Sequence, residues 1–140
     1  MSKPLILVVE DDIPVRNLIT ITLKTHGYRY LTAGTGDGAV VEASSHNPDV
    51  VLLDIIMPKV DGLTVMERVN ADKSMKKHPA FIVITAVGQE KITEDAFALG
   101  ANYYILKPFD NDMVISRIKH VRKSRSEKNF QEVRKVNAYE

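Results

Sequence analysis

Short apolar runs alternate with stretches of helical period along this chain, and that alternation is the strongest constraint on its fold. Leu5-Ile6-Leu7-Val8-Val9, Val50-Val51-Leu52-Leu53 and Phe81-Ile82-Val83-Ile84 are uninterrupted apolar runs, the pattern of strands buried on both faces. Tyr28–Ala33 and Tyr103-Tyr104-Ile105-Leu106 are two further strand candidates, richer in aromatic residues. Asp12 stands before Ile13-Pro14 as an N-cap with a proline in the first turn. Val15, Leu18, Ile19, Thr22 and Leu23 follow at helical spacing until Gly27. Further helices are expected from about Gly38 to Ser45, from Leu63 to about Ala71, over Gln89–Leu99 before Gly100, and from near Asp110 with Val114, Ile118 and Val121 on one face. Five strand-then-helix units in roughly 120 residues imply an α/β fold, a doubly wound parallel sheet with helices on both faces. In such a sheet, functional groups gather at the C-terminal ends of the strands.

The residues at those ends are Glu10-Asp11-Asp12 after the first strand, Asp54 after the third, Thr85 at the end of the fourth and Lys107 after the fifth. Singly, each has an ordinary structural reading. An acidic pair before a helix caps it, an Asp after a strand turns the chain, a strand-end Thr packs, and a Lys before Pro is solvated. Together they bring carboxylates, a hydroxyl and an ammonium to one rim. Clustered carboxylates repel one another unless a cation is present, and oxygen donors without sulfur or imidazole suit Mg²⁺. A carboxylate beside Mg²⁺, a hydroxyl and a lysine is suited to accepting a phosphoryl group as an acyl phosphate.

These residues resemble the receiver domain of two-component response regulators. The likeness is carried by Asp11-Asp12, by Asp54 within Leu53-Asp54-Ile55-Ile56-Met57-Pro58, by Asp61-Gly62, by Thr85-Ala86 and by Lys107-Pro108-Phe109. It implies a flavodoxin-like sheet of order 2-1-3-4-5 and a phosphorelay switch that assists its own phosphorylation rather than a turnover enzyme. Asp54 would be the phosphoacceptor, served by a sensor histidine kinase or a phosphotransfer protein. Asp12 and Asp54 would ligate Mg²⁺ directly, with the backbone carbonyl of Ile56, and Asp11 would act through water. Glu10, one residue early, is a weaker candidate. Lys107 would pair with the phosphoryl oxygens, across a cis bond to Pro108. Thr85 and Tyr104 match the family's switch pair, the ring turning inward as the hydroxyl moves toward the phosphoryl group. Output to a downstream partner would use the surface of the fourth helix, fifth strand and fifth helix, and a homodimer is a separate expectation. Ile56 and Val87 occupy the family's variable positions beside the pocket. Both are apolar and cannot position a hydrolytic water, so slow loss of phosphate is expected. Residues 1–49 look most like receivers of potassium-transport regulators, and the second half is similar to the sporulation master regulator of spore-forming bacteria.

Other readings fit less well. A haloacid-dehalogenase type phosphohydrolase needs a second Asp two residues after the first, where Ile56 stands. A flavodoxin needs a Ser/Thr-rich phosphate loop where Glu10-Asp11-Asp12 stand. A DNA-binding regulator would need an additional effector domain. Gly34-Thr35-Gly36-Asp37-Gly38 lacks dinucleotide-fingerprint spacing and reads as a turn. The four histidines, His26, His46, His78 and His120, are scattered. The absence of cysteine excludes disulfides, Cys-ligated zinc, iron–sulfur clusters and a thiol nucleophile.

The length of 140 residues suits one domain. No apolar run approaches the ~18 residues of a membrane span, and the N-terminal run is too short for a signal-peptide core, so a cytoplasmic protein is expected. The net charge of +1 hides an asymmetry. Residues 1–118 carry 12 Lys/Arg against 15 Asp/Glu, whereas residues 119–135 carry 7 against 2. The expected division is a receiver over 1–123 and a basic extension or linker over 124–140. Ser124-Arg125-Ser126-Glu127 has the form of a capping box, which would open a further helix with Phe130 and Val133 available for docking.

Overall fold

The computed structural model describes residues 4–121. The expected extension over 124–140, with its capping box, lies outside the described residues. The elements in chain order are β1 (Leu5–Val9), α1 (Ile13–Thr25), β2 (Arg29–Ala33), α2 (Gly36–His46), β3 (Val50–Leu53), α3 (Gly62–Ala71), β4 (Ala80–Thr85), α4 (Glu90–Ala98) and β5 (Ala101–Leu106). A fifth helix, α5, covers 111–121 of the described residues.

The strands form one parallel sheet in the order β2-β1-β3-β4-β5. The apolar runs anticipate which strands lie inside. β3 and β4 are buried at every position and β1 at all but its first, whereas edge strands β2 and β5 are partly exposed. Residue parity then divides the core in two. Ile6, Val8, Val50, Leu52, Ile82, Ile84 and Ile105 pack with Ile19 and Leu23 of α1 and Val114, Ile115 and Ile118 of α5. Leu7, Val9, Val51, Leu53, Phe81 and Val83 face Ala39 and Ala43 of α2, Val65, Met66 and Val69 of α3, and Ala96 of α4.

Helix ends follow local chemistry. Asp12 caps α1, its Oδ1 accepting from Val15 N at 3.4 Å, and Gly27 takes φ 78° just beyond that helix. α2 starts two residues earlier than the glycine-rich stretch implied. Thr35 Oγ1 accepts the Gly38 N–H at 3.1 Å and so caps the helix. β5 also starts earlier than expected. Asn102 sits in an irregularity of the β4–β5 ladder, where its Oδ1 accepts from Phe81 N at 3.1 Å. None of the helices among the described residues is long and apolar enough to cross a membrane.

Candidate functional site

Strand pairing continues one residue past β1, β3 and β5. Glu10 N bonds to Ala33 O, Asp54 N to Val9 O and Lys107 N to Thr85 O, at 3.1, 3.0 and 2.8 Å. Strand parity therefore still applies to these residues. Glu10 continues the series Ile6, Val8; Asp54 continues Val50, Leu52; Lys107 continues Tyr103, Ile105. All three fall on the α1/α5 side and meet there. Lys107 Nζ lies 2.8 Å from Asp54 Oδ2 and 2.9 Å from Glu10 Oε2. The other Asp54 oxygen, Oδ1, accepts from Ile56 N at 3.0 Å. The nucleophile candidate is thus clamped between a backbone N–H and an ammonium.

Glu10 is only 2% exposed and Asp54 6%. Burial pushes the Glu10 carboxyl above its ordinary range and the neighbouring Asp54 adds to this, with the Lys107 hydrogen bond acting against them. For Lys107, burial works to lower the pKa, but the hydrogen bonds to Asp54 and Glu10 prevail and the net shift is upward. The lysine is held as a cation.

Glu10, Asp11 and Asp54 each offer a carboxylate oxygen within 4.8 Å of one another. Here the geometry differs by one residue from the expected ligand set. Asp12 was expected on the metal with Asp54, and Glu10 outside it. Asp12 is instead exposed and its Oδ1 serves the α1 cap, while Glu10 sits inside the cluster. The physical reason is the ladder bond from Glu10 N to Ala33 O. It makes Glu10 the last strand-like residue, so that Asp11 rather than Asp12 stands at the open end. Three carboxylates against one lysine leave an excess of negative charge, and every donor is oxygen. That set fits a hard divalent cation such as Mg²⁺.

The two switch candidates, Thr85 and Tyr104, lie on the opposite side of the sheet. Thr85 is fully buried and continues the Phe81, Val83 series. Its Oγ1 accepts from Val87 N at 3.5 Å, and the Tyr104 hydroxyl donates to the Val87 carbonyl. Tyr104 is half-buried, its ring 6.3 Å from that of Phe97. Both switch candidates therefore hold the same residue, Val87, from opposite ends. The Lys107–Pro108 bond is cis. Ile56 is 58% exposed, and Ala86 presents no bulk at the mouth.

Gly62 lets α3 start close beneath Asp54. A Cβ there would stand 2.4 Å from the Asp54 carbonyl oxygen and 2.7 Å from Ile55 Cα.

Residues 6–119 match the response regulator receiver domain family. The chain belongs to that family. Receivers of this family are signalling switches in two-component systems. They bind Mg²⁺ in an acidic pocket and work with histidine kinases or phosphotransfer proteins. The DNA-binding dual master transcriptional regulator RpaA of Synechocystis sp. is 34% identical over 116 residues, which are 83% of this receiver and 48% of that protein. The chain thus spans about half the length of that curated relative. Among solved structures, chemotaxis protein CheY4 of Vibrio cholerae has TM-score 0.79 and 25% identity, covering 86% of this chain and 99% of that one. The receiver domain of a sensor histidine kinase from Pseudomonas aeruginosa has TM-score 0.76 and 26% identity, covering 85% and 97%, and carries a magnesium ion coordinated in its active-site cleft. Neither RpaA nor the family match supports the finer likeness of the two halves to potassium-transport and sporulation regulators.

Proposed function

We propose that this receiver accepts a phosphoryl group on Asp54 from a sensor histidine kinase or a phosphotransfer protein, with Mg²⁺ at the acidic rim. The observation that supports this most directly is the clamped Asp54 carboxylate, bonded to Lys107 through one oxygen and to Ile56 N through the other. An Asp54 oxygen attacks phosphorus. The phosphorus–nitrogen bond of a phosphohistidine breaks, and the imidazole keeps the electron pair. With an acyl phosphate donor, the phosphorus–oxygen bond breaks instead and the carboxylate leaves. Asp11 and Asp54 would hold the metal, with the Ile56 carbonyl as the remaining family ligand and Glu10 as the rim carboxylate behind them. When bound, Mg²⁺ supplies charge that offsets the phosphoryl oxygens. Lys107 then moves its bond from Asp54 to a phosphoryl oxygen.

Thr85 would be the group that follows the new phosphoryl charge. Its movement would break the bond to Val87 N and change what Tyr104 can hold. The change would be read on the surface of α4, β5 and α5. Exposed Phe97, Leu106 and Met113 supply apolar area there for a partner or a second copy. DNA binding is named for RpaA and is not assigned to this receiver.

The test is incubation with Mg²⁺ and a small acyl phosphate, followed by intact mass. A gain of one phosphoryl group that is lost in Asp54→Asn supports the reading. No gain in the wild type rejects it.

A further inference from the structure

The segment Gly34-Thr35-Gly36-Asp37-Gly38, which leads into α2, takes no part in the chemistry above, yet it borders the acidic rim. Arg16, in the first turn of α1, reaches back to the β1–α1 junction. Its Nη1 donates to the backbone carbonyl of Glu10 at 3.2 Å. A Cβ at Gly34 would stand 2.8 Å from that same Nη1. The guanidinium fills the space that a side chain at position 34 would need. Gly34 is not among the positive-φ glycines, so its value here is room rather than backbone freedom. Glu10 N is meanwhile bonded to Ala33 O. The Glu10 backbone is therefore held at its N–H by β2 and at its C=O by Arg16, at the point where two rim carboxylates leave the chain.

We propose that Arg16, admitted by Gly34, is a positioning residue that sets the Glu10–Asp11 segment for binding a divalent cation. The inference rests on the reading of the rim as a Mg²⁺ site. Electrostatics alone predicts the opposite sign. A guanidinium near a cation site repels the cation, so deleting it would tighten binding. Positioning predicts weaker binding, because groups that orient ligands govern metal affinity.

The experiment is calorimetric titration of Mg²⁺ into the full chain and its Arg16→Ala, Arg16→Lys, Gly34→Ala and double Arg16→Ala/Gly34→Ala variants, with thermal unfolding of each. Gly34→Ala is the sharpest probe. The obstructing atom is the end of a flexible side chain, so the fold yields and the guanidinium is displaced with its charge retained. Arg16→Ala and Gly34→Ala should each weaken Mg²⁺ binding about tenfold, with Arg16→Lys recovering part of the loss. The double variant should bind no more weakly than Arg16→Ala alone. Unchanged or tighter binding in Arg16→Ala overturns the positioning role and leaves the metal site standing. So does a lowered Tm with unchanged affinity in Gly34→Ala. No Mg²⁺ binding by the wild type overturns both. Should Arg16→Ala not fold, Gly34→Ala decides alone.

Discussion

β3 has an Asp–Lys pair at each end, and the two pairs do different things. At the N-terminal end, Asp49 Oδ2 accepts the Leu5 N–H at 2.7 Å and Oδ1 pairs with Lys77. The Asp49 backbone bonds to Leu5 O and Ala80 N, so this residue ties together the starts of β1, β3 and β4. At the C-terminal end, Asp54 shares Lys107 with Glu10, and Asp11 lies beside them. Lys77 is mostly exposed, whereas Lys107 is mostly buried. Among the described residues, the Asp49–Lys77 pair is part of a structural joint. Several carboxylates around one lysine leave charge that a metal and a phosphoryl group can use. The lesson is that residue type does not mark the site; the local charge balance does.

That contrast can be broken by swapping the same substitution between the two ends. Asp54→Asn should abolish phosphorylation by an acyl phosphate, while Asp49→Asn retains it, as read by intact mass. Next in size is the lysine pair. Lys107→Ala should slow phosphorylation by about 100-fold, the scale of losing one donor to developing charge. Lys77→Ala should leave the rate unchanged and alter stability by no more than ~0.5 kcal/mol, as for other exposed pairs. A large effect of Lys77→Ala on phosphorylation would remove the distinction.

Gly62→Ala tests how closely the scaffold supports the C-terminal end. Its Cβ would collide with backbone atoms that cannot step aside. Urea unfolding should show a loss of about 2–3 kcal/mol, with slower phosphorylation at Asp54. The double variant Ile56→Asn, Val87→Glu places polar groups beside the phosphoacceptor. It should speed loss of the phosphoryl group by about tenfold through water positioning, followed as decay of the phosphorylated mass. A slower decay than wild type would show that these apolar positions do not protect the phosphoryl group.

The smallest effect lies at the N-terminal end. Hydrogen bonds from the Ser74 hydroxyl and N–H hold the Asp72 carboxyl below its ordinary range. A depressed folded-state pKa adds stability above the unfolded value and loses it as pH falls through the folded one. Ser74→Ala should therefore shrink the stability lost between about pH 5 and about pH 3, measured by urea unfolding at both. Phosphorylation should not change.

Much of this was legible in the chain. The uninterrupted runs in β1, β3 and β4 marked the inner strands, because burial on both faces leaves no polar position. Asp12 before Ile13-Pro14 marked the α1 cap, and Asp54 and Lys107 marked the rim. The place of Glu10 within the cluster was not legible, because three adjacent acids carry no mark of where the strand stops. The bond from Glu10 N to Ala33 O supplies that mark, and it belongs to a neighbouring strand. The start of α2 was hidden by glycines, which read as a turn until Thr35 is seen to cap. Arg16 gave no signal, since a guanidinium's partner cannot be inferred from its place on a helix.

The sequence by itself determined the strand and helix alternation, the buried strands and the family's functional residue types. Hydrophobic period and residue chemistry are local properties, written along the chain. Only the tertiary structure decided which two of three adjacent acids join Asp54 at the rim, and why a glycine at 34 is needed for space. Those outcomes depend on strand register and on atoms brought together from distant segments.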